Sequence, residues 1–242
     1  MAELYKRSPL TEAVVEFRLE EPLSLDVLDK ACARLVSPQF LREELSESVF
    51  EFDPGTAPRQ THQLQGYKLT AINAGEVIQV KLNALGVSKL PPYGGWDEYR
   101  ELVSSCWTTW RKATGRKRLS RIGVRYLNRI DIPCPPGTLV DTDAYLQFNM
   151  NIPKVLDAPM RGNYLQINSG IAADSLQVNL MCASTEPALI DHIAVGLDID
   201  VFRDIDVPQQ DDDIWALLDT IRKRRTEIFE ACITDKTRAL IR

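Results

Sequence analysis

Arg118-Leu119-Ser120-Arg121-Ile122-Gly123-Val124-Arg125-Tyr126-Leu127-Asn128-Arg129-Ile130-Asp131-Ile132 alternates two kinds of side chain. Ile122, Val124, Tyr126, Ile130 and Ile132 share one parity, while Arg121, Arg125 and Arg129 share the other. A period of two over this length marks a strand with one face buried. The same pattern opens the chain at Thr11–Glu20, with Ala13, Val15, Phe17 and Leu19 on one face and Glu12, Glu16, Arg18 and Glu20 on the other. Each of these strands begins a comparable series.

Outward from the first strand, Pro22 breaks the chain and Ser24 stands where a helix cap is wanted, ahead of Leu25, Leu28, Cys32 and Leu35 at helical spacing. Ser37-Pro38 ends that helix. A short strand is expected at Ser48–Phe52, a turn at Asp53-Pro54-Gly55 and a loop over Gly55–Gln63. Leu64–Asn73 and Val77–Leu85 flank Ala74-Gly75, a hairpin signal. After the breaker Pro91-Pro92-Tyr93-Gly94-Gly95, a helix is expected at Trp96–Thr114. Its stripe is Tyr99, Leu102, Val103, Cys106, Trp107 and Trp110, and Gly115 suits its end.

The second series repeats these parts. Pro133, Pro135, Pro136 and Gly137 close its first strand, and Asp141–Phe148 reads as a short, weak helix. Asn163–Ile171 and Ser175–Ala183 form a hairpin, and Ile193–Phe202 is a long strand. Asp211, Asp212 and Asp213 then open a helix, where carboxylates complement the dipole. The expected fold is therefore α+β, an internally duplicated β-α-β(3–4)-α unit. A curved antiparallel sheet would be backed by two long helices, Trp96–Thr114 and Asp213–Asp235. The 242 residues would form a single domain of two repeats, approximately 8–116 and 117–242. In element order the chain resembles the TATA-binding-protein-like and helix-grip class, a likeness of architecture alone.

Three segments carry a second resemblance: Ser8-Pro9-Leu10-Thr11-Glu12-Ala13-Val14-Val15-Glu16-Phe17-Arg18, Arg121–Ile130 and Phe229-Glu230-Ala231-Cys232-Ile233-Thr234-Asp235. They are similar, in this order, to segments of a family of bacterial proteins of about this length that is scattered sporadically across bacteria. The resemblance implies one full-length unit. It carries over no catalytic residue and no reaction, and its sporadic distribution points toward mobile or defence-linked genes and hence toward a partner protein.

The bulk composition narrows the function classes. Lys+Arg 29 against Asp+Glu 34 gives a net charge of -5, which argues against a general nucleic-acid coat. Cys32, Cys106, Cys134, Cys182 and Cys232 show no metal-ligand spacing and suit a reducing cytoplasm. Neither a secretory leader nor a membrane-length apolar run is present, so a cytoplasmic protein without a membrane partner is expected. No nucleotide, nucleophile-elbow or zinc-protease motif occurs, so no cofactor and no catalytic residue is assigned.

The basic segment Arg111–Arg129 contains no Asp or Glu between its cations. Arg116, Lys117, Arg118, Arg121, Arg125 and Arg129 could hold phosphates or carboxylates. Against this, cross-strand pairing with Glu12, Glu16 and Glu20 would consume the arginine row. Asp198 and Asp200 share a parity that could hold a divalent cation, or simply form a solvated or arginine-paired face. His62, placed in a loop, and His192, at a strand start, have no catalytic neighbours. Trp96, Trp107 and Trp110 read as core, and Arg222-Lys223-Arg224-Arg225 as a solvated helix face. The sequence thus points to a non-catalytic binding or regulatory protein whose partner is another protein or a second copy. The alternative is nucleic-acid or nucleotide recognition through Arg116–Arg129, and a third reading is metal-dependent phosphoryl transfer at Asp198 and Asp200.

Overall fold

The computed structural model describes residues 5–51, 59–148 and 162–242. Among them are four helices and nine strands, in a mixed α/β arrangement with one large antiparallel sheet. The strands are β1 (Leu10–Leu19), β2 (Phe40–Glu51), β3 (Arg59–Ala71), β4 (Glu76–Lys81), β5 (Ala84–Lys89), β6 (Leu119–Pro133), β7 (Tyr164–Ile171), β8 (Leu176–Thr185) and β9 (His192–Arg203). They hydrogen-bond in the order β2-β3-β4-β5-β1-β6-β9-β8-β7. The helices are α1 (Leu25–Leu35), α2 (Trp96–Thr114), α3 (Asp211–Cys232) and α4 (Asp235–Ile241). By contact the chain divides into two compact units, Val14–Ile122 and Met1–Ala13 with Gly123–Arg242.

In the unit Val14–Ile122, the apolar parity of β1 decides the packing. Val15 and Phe17 are fully buried, and the Phe17 ring stacks on Trp107 of α2 at 4.4 Å. Trp107 in turn stacks on Trp110 at 5.4 Å, so the expected tryptophan core forms, with Trp96 also buried. Tyr99, one turn in from the start of α2, donates its hydroxyl to the Val87 carbonyl of β5 at 2.5 Å. α2 has the expected bounds because backbone-permissive glycines flank it, and Gly115 at φ 75° donates its N–H to the Arg111 carbonyl. Ser24 is at the N-cap of α1, but its backbone carbonyl makes the closing bonds and its side chain makes none.

The expectations for β2 and β3 need correction. β2 spans twelve residues instead of beginning at Ser48, and β3 begins at Arg59, so Arg59–Gln63 is strand and His62 lies within it. β2 pairs with β3 from Phe40↔Ala71 to Glu51↔Arg59, with a register shift at Leu45/Ser46. The described side chains from Leu41 to Ser48 are half-buried or exposed on both parities, so no apolar alternation marks the strand. The expected turn at Asp53-Pro54-Gly55 lies outside the described residues.

In the other unit, β7, β8 and β9 form an antiparallel meander and α3 packs on β9. Ile214, Leu217, Leu218 and Ile221 are the buried stripe of α3, continued by Phe229 in place of Ile228. The last helix was expected to run to Asp235. It stops at Cys232, because Ile233 is extended at φ -111° and ψ 150° and fully buried. The Ile233 backbone bridges Leu146, and Thr234 restarts the chain as the cap of α4, accepting from the Thr237 N–H. The same contact limits the expected helix Asp141–Phe148 to one 3-10 turn, Thr142–Ala144. The N–H of Gln147 donates to the Cys232 carbonyl and the Tyr145 carbonyl accepts from Thr234, which removes both groups from a continuing helix.

The stacked Phe17–Trp107 contact predicts a large cost for truncation. Phe17→Ala should lose about 3–5 kcal/mol in urea denaturation, whereas Leu41→Ala, exposed on β2, should stay within about 0.5 kcal/mol. Equal losses at the two positions would contradict this core assignment.

Candidate functional site

The arginine row lies on β6 with the parity read from the sequence, and carboxylates of the fold meet it. Glu16 of β1 accepts from Arg121 at 3.0 Å, and Glu20 accepts from Arg118 at 2.6 Å. Arg129 is held by Asp131, two residues on, at 3.2 Å. Arg125 takes a partner from β9: its Nε lies 2.8 Å from Asp198 Oδ1 and its Nη2 2.5 Å from Oδ2, a bidentate pair. This hydrogen bonding is the largest cause that raises the Arg125 pKa above its ordinary value, with Asp200 and Glu12 adding to the field. Arg116 and Lys117 lie exposed just before the strand. Arg121 and Asp198 are nearly buried, at 9% and 8% exposure, where a lone charge would be costly, so pairing dictates their arrangement.

Sequence reasoning set a metal pair at Asp198 and Asp200 against a solvated or arginine-paired face without naming the arginine, and Arg125 is the partner Asp198 has. Asp200 accepts from Asn179 of β8 at 3.5 Å, its cross-strand neighbour. Among the described residues no group of three or more His, Cys, Asp or Glu is placed to hold a metal ion. His192 starts β9 as expected, its ring Nδ1 2.7 Å from the Ile190 carbonyl oxygen. His62 on β3 lies 3.2 Å from the Ser48 hydroxyl. The run Arg222–Arg225 is more than a solvated face, because Arg224 pairs with Asp174 and Glu227, and the Arg225 guanidinium lies 3.7 Å over the Tyr126 ring.

The cysteines show how burial decides reactivity. Desolvation is the largest cause pushing the Cys106 and Cys232 thiols up to about 12, and it raises Cys32 and Cys182 as well. A thiolate is the nucleophilic form, so none of these four is activated. Cys134, half-buried after β6, is the most accessible of the five.

The most open feature is the ribbon of β2 and β3. β2 ends the sheet, and among the described residues no strand pairs with its outer side. Its side chains carry Arg42 against Glu43, Glu44 and Glu47. Arg42 is engaged, 3.8 Å over the Tyr67 ring and 3.6 Å from Asp29 of α1. Tyr67 donates to Asp29 at 2.6 Å, the largest cause of its raised pKa. Glu43 meets Lys68 at 3.3 Å, with both side chains well exposed, and Glu47 accepts from Gln65 at 3.2 Å. Exposed pairs of this kind hold little energy, about 0–1 kcal/mol, so they can exchange partners.

No protein-family model matches the chain, and a search of curated proteins finds no match. Among the described residues no helix is long and apolar enough to cross a membrane.

Thiol burial makes a direct prediction. With a small aromatic disulfide reagent at pH 8, native protein should release the equivalent of Cys134 quickly and the other four only on unfolding. Raised folded pKa values also mean that the native state holds more protons than the unfolded chain above pH 9, so stability should fall as pH rises from 9 toward 12. Fast reaction of Cys106 or Cys232 in folded protein would contradict the packing.

Proposed function

We propose that the chain is a non-catalytic binding protein that acts by protein–protein contact, with a partner strand added to the outer edge of β2. The observation that carries this is the edge itself: twelve residues paired on one side, open on both faces where described, with four glutamates against one arginine. An unpaired edge offers main-chain donors and acceptors to an extended segment, and side chains set which segment is accepted. Glu43, Glu44 and Glu47 favour a strand carrying Lys or Arg. A second copy is the poorer occupant, because antiparallel self-pairing places Glu44 opposite Glu44 in one register and Glu43 opposite Glu47 in another.

Nucleic-acid recognition through Arg116–Arg129 is weaker on the same physical grounds, since Arg118, Arg121, Arg125 and Arg129 already have carboxylate partners. Metal-dependent chemistry at Asp198 would first have to displace Arg125.

The internal duplication, with repeats near 8–116 and 117–242 and α2 and α3 as corresponding backing helices, belongs to the same proposal. The hydrogen-bonding order supports it, because β3-β4-β5-β1 is matched by β7-β8-β9-β6. The likeness to duplicated TATA-binding-protein-like and helix-grip proteins concerns that architecture.

The test uses two strand-forming peptides of one sequence pattern, with Lys or with Glu at alternate positions. The Lys peptide should bind in fluorescence anisotropy and shift the amide resonances of Phe40–Ser48. Reversing Glu43 and Glu47 to Lys should weaken it at least about tenfold and admit the Glu peptide. Equal binding of both peptides, or shifts confined to residues outside β2, would remove the proposal. A concentration-dependent dimer lost in the reversed variant would assign the edge to a second copy instead.

A further inference from the structure

Each unit ends a strand in a cation shortly before a long helix, and the two arrangements differ at one informative position. Lys89 closes β5 and donates its Nζ to the Ala74 carbonyl at 2.7 Å. Arg203 closes β9 and donates its Nη2 to the Asp174 carbonyl. Ala74 and Asp174 hold the same place, just before a left-handed residue, Gly75 at φ 60° and Ser175 at φ 52°, that opens the next strand. The following residue is Glu76 in one unit and Leu176 in the other. Glu76 lies 3.4 Å from Lys89 and neutralises it. Leu176 is a core side chain, 1% exposed, and can do no such thing.

Arg203 therefore lacks a carboxylate where its counterpart has one. Its one described partner is a neutral carbonyl, and its Nε is buried with no acceptor among the described residues. The nearby carboxylate of Asp174 is taken by Arg224. A buried donor left unsatisfied costs about 1–3 kcal/mol and calls for an explanation. The cavities differ in the same sense. The cleft beside Lys89 measures about 160 Å³, whereas the cleft beside Arg203 measures about 560 Å³, within the usual size for a small ligand.

We propose that the cleft between the Ala173–Ser175 turn, Arg203 and the first turns of α3 binds a free α-amino acid with an apolar side chain. One guanidinium selects a monoanion, and a carboxylate suits its planar fork. Ser175, which also lines the cleft, carries a hydroxyl that can donate. Asp213, third residue of α3, lines the cleft with an exposed carboxylate. It disfavours a phosphate dianion and complements an ammonium group. Ala173, Pro208, Ala216 and Leu217 supply the apolar wall for a branched aliphatic side chain. This site is independent of partner binding at β2.

The test is titration calorimetry on the full chain with leucine, with 4-methylpentanoate and isopentylamine, each lacking one of its charged groups, and with inorganic phosphate. Leucine should bind saturably with a Kd of roughly 0.01–1 mM, and each analogue at least about tenfold more weakly. Arg203→Gln should weaken leucine at least about tenfold. Asp213→Asn, on an exposed helix turn that does not threaten folding, should weaken leucine and leave 4-methylpentanoate unchanged. The Ala173 and Ala216 methyl resonances should shift on leucine addition. The proposal is overturned if no aliphatic amino acid gives saturable heat at about 10 mM, if phosphate binds more tightly than leucine, or if Asp213→Asn leaves leucine affinity intact.

Discussion

The Arg121 guanidinium on β6 must be neutralised where it stands, and the more exposed Arg125 and Arg129 beside it also meet carboxylates. The strand alternates apolar and cationic side chains, so burying one parity fixes the arginines on the other. A guanidinium near 9% exposure keeps little hydration, and Coulomb attraction at contact, about 4 kcal/mol at an effective dielectric of 20, offsets its loss only with a close partner. Glu16 supplies it for Arg121 and Asp198 for Arg125. The chain then has a net charge of -5 to place elsewhere, and four of its glutamates belong to β2, of which Glu43, Glu44 and Glu47 are exposed.

Two kinds of surface result, each traceable to one-sided or two-sided burial. β1 and α2 bury a full apolar parity through Phe17 and Trp107. The described side chains of β2 bury almost nothing, and among the described residues no strand pairs with its outer edge. In the unit containing α3, Leu176 is a core side chain, and the Nε of Arg203 is buried without an acceptor among the described residues.

The elements legible in the sequence are those with a single buried face and a local stop signal. α2 was readable from its stripe and from Gly95 and Gly115, and β1 and β6 from strict alternation. β2 and the first part of β3 were not, because a ribbon exposed on both faces needs no periodic pattern. The break at Ile233 was hidden for another reason. It is imposed by Leu146, far away in sequence, which takes the backbone of Ile233 into a bridge. The site was read in the same uneven way: the parity of the arginines was local information, but Asp198 could be matched to Arg125 only once β9 had a register. The difference between Lys89 and Arg203 needed both hairpin turns in three dimensions.

Internal neutralisation of β6 is tested most directly by a double-mutant cycle on Arg125 and Asp198. Urea denaturation would be measured for the wild type, Arg125→Met, Asp198→Leu and the double variant. A working ion pair gives a coupling energy of about 1–3 kcal/mol, with the double variant much less damaged than the sum of the single ones. Additivity within about 0.3 kcal/mol would mean that Arg125 and Asp198 do not hold each other, and the arginine face would again be available to an outside anion.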